Sequence, residues 1–74
     1  MNKQRRKQIS DIRNQLEQNI NELQSVLDEE QYSYDNMPEN LQFSMRGEEM
    51  EDAITTMEEA IESIQSAIES LEEI

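Results

Sequence analysis

The chain has 74 residues, with 18 Asp and Glu against 6 Lys and Arg, and a formal net charge of -12. It holds neither Cys nor His, which removes disulfides, the usual zinc ligands, thiol nucleophiles and imidazole bases, and makes an enzyme a distant reading. Val, Ile, Leu and Phe supply only 15 of 74 residues, close to the composition of disordered chains, so folding requires those few to be periodic.

The first 13 residues carry Lys3, Arg5, Arg6, Lys7 and Arg13 against Asp11, a net +4, and the other 61 carry Arg46 against 17 acids, a net -16. Ile9, Ile12, Leu16, Ile20, Leu23, Val26 and Leu27 then recur at gaps of three and four, one apolar stripe of a helix over about residues 4–34. Asn19 falls on the d position of that stripe, where a polar residue fixes register or oligomeric state unless it lies at the seam's edge. The connection covers about residues 35–44. Met37 precedes Pro38 and should avoid the helical conformation, Pro38 can start a short turn, and Ser44 suits an N-cap.

The second helix is expected over about residues 45–73. Met50, Met57, Ile64 and Leu71 are seven apart, as are Ala53, Ala60 and Ala67, and Ile54, Ile61 and Ile68. This is a heptad with apolar a, d and e positions, a stripe wide enough for two neighbours. Gly47 sits in its first turn, where it should weaken the helix slightly.

Two such helices predict one all-α domain over residues 1–74, an antiparallel two-helix hairpin resembling a coiled coil. A register pairing Ile9 with Ile68, Leu16 with Ile61, Ile20 with Met57, Leu23 with Ile54 and Leu27 with Met50 superposes the stripes throughout. It leaves Ile12 beside Ile64 and completes the core with Leu71. The same register sets Arg5 opposite Glu72, so the basic head lies beside the acidic end of the second helix. So small a core gains only about 3–5 kcal/mol, and the surplus apolar column calls for a partner. The expected partner is a second copy, forming a four-helix bundle, or a client protein.

No run reaches about 18 apolar residues, so no membrane span is expected. The basic start lacks the apolar core of a signal peptide, which suggests a cytoplasmic location. Lys3 to Lys7 could meet phosphates, but the acidic body opposes direct nucleic-acid binding. Residues 28–39 match a calcium loop poorly, with Tyr32 and Ser33 at the fifth and sixth positions. No cofactor or metal is expected.

Two candidate surfaces remain. Tyr32, Tyr34, Met37, Leu41, Phe43 and Met45 gather at the connection, either as a plug closing the hairpin or as a binding hot spot. On the second helix Glu48, Glu51, Asp52, Glu58, Glu59 and Glu62 form an acidic face. Its like charges four apart, as in Glu58 and Glu62, each cost the helix about 0.2–0.5 kcal/mol. The face serves solubility, or binds a basic groove by mimicking the charge spacing of a nucleic acid.

The connection also reads Tyr34-Asp35-Asn36-Met37-Pro38-Glu39-Asn40-Leu41-Gln42, followed by Ser44 and Arg46-Gly47-Glu48. This tip resembles that of a family of small acidic helical-hairpin proteins of Gram-positive bacteriophages and prophages, and the resemblance extends over nearly the whole chain. The family's members mostly have no assigned activity. The resemblance implies phage origin, and a tip, Tyr34, Asp35, Asn36, Met37 and Leu41, that does more than close a hairpin. Three functions are therefore expected to compete. One is a non-catalytic accessory protein that binds, and plausibly inhibits, a host protein. The second is a nucleic-acid mimic that blocks a nuclease or defence protein, in the manner of an anti-CRISPR. The third is an assembly component acting by oligomerisation.

Overall fold

A computed structural model describes all 74 residues. It is all-helical: α1 (Lys3–Asp35), α2 (Glu39–Gln42) and α3 (Met45–Glu72), with α1 packed along α3 as a hairpin. The Cα atoms span 58 × 15 × 12 Å. No helix is long and apolar enough to cross a membrane.

Both long helices begin where a short polar side chain can replace a missing backbone partner. Asn2 Oδ1 accepts from the Arg5 amide at 2.8 Å, and Ser44 Oγ accepts from the Gly47 amide at 3.4 Å, as N-caps do. α1 stops at Asp35, two residues short of Pro38, and the Asn36 amide and side chain both bond the Tyr32 carbonyl. Beyond Pro38, whose carbonyl accepts from Leu41 and Gln42 at 2.9 and 3.1 Å, α2 makes a single turn.

The facing positions are now defined by burial. In α1 they are Arg13, Leu16, Ile20, Leu23, Leu27, Glu30 and Tyr34, at alternating gaps of three and four. In α3 they are Gly47, Met50, Ile54, Met57, Ile61, Ile64, Ile68 and Leu71. All are buried or half-buried, and Ile68 is the deepest at 1% exposure. One expectation, on α1, changes. The seam of α3 uses the Met/Ile/Leu and isoleucine columns, and the alanines at 53, 60 and 67 flank it. In α1 the seam passes through Arg13, whose aliphatic stem suits a half-buried place, so Ile12 stands outside the hairpin core at 49% exposure. Asn19 and Val26 share its column and are also exposed.

The register differs from expectation by one heptad. Leu27 does not meet Met50. It shares a groove with Gln24, Glu58, Ile61 and Glu62, while Met50 lies with Glu30 and Ser33 and the Tyr34 hydroxyl reaches Glu51. The facing pairs are thus Leu27 with Met57, Leu23 with Ile61, Ile20 with Ile64 and Leu16 with Ile68. Both registers superpose apolar stripes, since a slip of seven keeps every side chain on its face. The connection selects between them. Gln42 Nε2 donates to the Tyr34 carbonyl at 2.9 Å, and the Gln42 backbone presses against Gly47 so closely that a Cβ there would lie 2.1 Å from the Gln42 oxygen. Gly47 is therefore a contact point for α2 as well as a weak helix former.

The slip has a consequence at the other end. Ile74 lies level with about Ser10, so the first turns of α1 run past the end of α3. Residues 1–8 are all exposed. The expected pairing of the basic head with Glu72 is absent, because the head overhangs the acids that were to meet it. The one ion pair in the chain is local, Lys7 to Asp11 at 3.1 Å.

Candidate functional site

The tip cluster is divided between the plug and the hot-spot roles. Tyr34 and Met37 are half-buried and close the end of the seam. Tyr34 donates its hydroxyl to Glu51. That bond, foremost, and then slight desolvation and the nearby carboxylates of Glu51 and Asp35 raise its pKa above the ordinary 10.0, since each favours the neutral phenol. Asp35, Asn36 and Leu41 are exposed, and Asp35 accepts from Gln31 at 2.9 Å. Outside stand Tyr32, Phe43 and Met45, at 72, 77 and 76% exposure. Sequence reasoning placed these three in the cluster but not among the binding residues. For two of them a signal was available: Phe43 and Met45 flank the Ser44 cap, where α2 turns into α3.

A shallow groove of about 340 Å³ opens beside them, lined by Ser33, Met37, Leu41, Ser44, Arg46 and Met50. Arg46, the one base after residue 13, is exposed there with Glu30 and Glu49 nearby and forms no ion pair. It was legible as an isolated charge but not as a groove residue.

The two long edges of the hairpin differ in chemistry. On one, Gln24 and Gln31 of α1 stand beside Glu51 and Glu58 of α3, and the helical repeat extends this polar edge to Glu17, Gln65 and Glu72. On the other, Ser33 stands beside Arg46 and Met50, and the same repeat brings Ile12, Asn19 and Val26 alongside Ala53, Ala60 and Ala67. Thr56, Ser63 and Ser70 lie next to the alanines, so this side of α3 carries no charge after Glu49.

The acidic face of α3 therefore points away from the alanines. Glu48, Asp52, Glu58, Glu59 and Glu62 are all exposed, as is Glu51. None has a cation within salt-bridge reach. No group of three or more carboxylates is placed to hold a metal ion. The face offers a field of negative charge and no converging ligand set.

No protein-family model, curated protein or solved structure matches this chain.

Proposed function

We propose that this chain is a non-catalytic accessory protein of phage type that acts inside a bacterial host by binding another protein, and that its working form is a homodimeric four-helix bundle. One observation carries the reading: Tyr32, Phe43 and Met45 stand three-quarters exposed at one end of a hairpin whose 74 residues hold only three aromatic side chains, all at that end. Exposed aromatic and methionine side chains grouped beside a groove are what interface hot spots are made of, and a monomer gains nothing by leaving them in water. The resemblance of residues 34–42 to the tip of small acidic phage proteins supports the same end of the molecule. In this reading the bound chain inhibits a host factor by covering its site.

The second reading uses the acidic face. Six carboxylates without cations on one helix favour a basic, nucleic-acid-binding groove as target, with inhibition by mimicry. A pull-down from a Gram-positive host lysate separates the two. Phe43→Ser with Met45→Ser should abolish capture at any salt, while Glu58→Lys, Glu59→Lys and Glu62→Lys should leave it intact. Capture that survives the tip substitutions and disappears with charge reversal or high salt would replace the first reading by the second. If the unaltered chain captures no host protein, assembly by oligomerisation is what remains.

A further inference from the structure

The apolar edge and the charge order of α1 point to one partner, a second copy of the chain. α1 is charged against its own dipole at both ends. Its N-terminal turns hold Lys3, Arg5, Arg6 and Lys7 with no acid in the first turn, and its last turns hold Asp28, Glu29, Glu30 and Asp35 with no base. A helix prefers the reverse, because its dipole is positive at the N-terminus and negative at the C-terminus. Within the hairpin nothing corrects this, because the basic turns overhang α3 and pair only Lys7 with Asp11. Beside the same helix laid antiparallel, each end meets the charge it lacks.

The apolar edge supports that arrangement position by position. Ile12 and Val26, 49 and 52% exposed, each lie seven residues from Asn19 in one column. About a two-fold axis at Asn19, Ile12 of one copy meets Val26 of the other, and Asn19 meets its own copy, where two amides can bond across the axis. A polar residue so placed fixes register. Lys3 to Lys7 then lie level with residues 31–35 of the other copy, beside Asp35 and Glu30. By the hairpin register Asn19 lies level with about Gln65, so Ala60 and Ala67 fall level with Ser70 and Ser63 of the other copy, an approach that is close and uncharged, while Ala53 lies beyond the end of the other copy's α3.

The face is about 40 Å long and roughly 15–20 Å wide, or about 600–800 Å² for each partner, near the lower range of specific interfaces. The acidic residues of α3 occupy the opposite side, so most of the repulsion between two chains of charge -12 acts across more than one screening length of about 8 Å. The alternative two-fold, parallel to the helices, would set both basic overhangs together at one end.

We infer that the chain dimerises through the Ile12–Asn19–Val26 column and the Ala60–Ala67 part of α3, with α1 antiparallel to the other copy's α1 about a two-fold axis at Asn19. This rests on the dimer proposed above and adds its face, direction and register. The chain has no cysteine, so single thiols report the geometry directly. Asn19→Cys should form a disulfide-linked dimer on mild oxidation. Ile12→Cys and Val26→Cys chains should link to each other when mixed and not to themselves, because like residues sit about 21 Å apart along the axis while a disulfide spans at most about 7 Å between Cα atoms. By sedimentation equilibrium, Ile12→Glu with Val26→Glu should weaken the dimer at least ~100-fold. Arg5→Glu with Arg6→Glu, at two side chains that form no ion pair in their own chain, should weaken it roughly 10-fold. A wild-type chain that sediments as a monomer at micromolar concentration overturns the dimer and this arrangement together. A wild-type dimer that links 12 to 12 or fails to link at 19 overturns the arrangement alone, as does one indifferent to both pairs of charge substitutions.

Discussion

Gly47→Ala separates local preference from tertiary contact, because the two predict opposite signs. In an exposed helix interior the change stabilises by about 0.5–1 kcal/mol. Here the added methyl would lie 2.1, 2.5 and 2.7 Å from the Gln42 oxygen, carbonyl carbon and Cα. All three are backbone atoms, so no rotamer change relieves the clash. Overpacking of a tight site costs typically 1–3 kcal/mol, and this contact belongs at the top of that range. Subtracting the gain in helix propensity leaves a net loss of about 2 kcal/mol. The loss is bounded, since α2 can lift away and forfeit its packing and the Gln42 to Tyr34 bond. In a domain of this size each kcal/mol moves the melting temperature by roughly 4–8 °C, so thermal melts followed by circular dichroism should fall by about 8–16 °C. Ser63→Ala, at an exposed position of the same helix, is the control and should rise slightly. An unchanged or higher melting temperature for Gly47→Ala would refute the close approach and, with it, the connection's part in choosing the register.

Other expectations follow from burial and charge. Ile68→Ala, at the deepest position, should cost about 2–5 kcal/mol, enough to unfold most of a hairpin with about 3–5 kcal/mol to lose, whereas Ile12→Ala should cost under about 0.5 kcal/mol in the isolated hairpin; equal losses at the two sites would contradict the seam described here. In a Tyr32→Phe background the remaining tyrosine should titrate above 10.0, and Glu51→Gln should bring it down, read by ultraviolet absorbance. The stability that this bond lends is fully present below the unfolded tyrosine's value of 10.0 and is lost as pH rises through the higher folded value, so Glu51→Gln should matter less at pH above that window than at neutrality. A Tyr34 that titrates at or below 10.0 would exclude the bond to Glu51.

The helices themselves were written in the heptad. Gaps of three and four among Leu16, Ile20, Leu23 and Leu27, and the seven-residue columns of α3, dictate two amphipathic helices that must face each other. Pro38 and Ser44 punctuate them where backbone sterics and capping require. The division of charge into a basic head and an acidic body was equally plain. Two things were not. The face chosen on α1 depended on which of two adjacent columns packs against α3, which set Arg13, Ile20 and Leu27 in the seam and left Ile12, Asn19 and Val26 on an edge. The inward turn of Tyr34 and Met37, against the outward stance of Phe43 and Met45, depended on how α2 folds back, which no local pattern specifies.

The register shows the boundary most clearly. By itself the sequence determined that Leu and Ile on α1 meet Ile and Met on α3, because periodicity confines those side chains to one face. It left two alignments a heptad apart, equal in the stripes they superpose. Only the tertiary structure decided between them, through the Gln42 backbone seated on Gly47, the Gln42 side chain bonded to the Tyr34 carbonyl, and Tyr34 reaching Glu51. These contacts join residues whose separation carries no period, and they advance α1 by one heptad. The basic head is thereby carried past the acids of its own chain, which leaves it free for those of another.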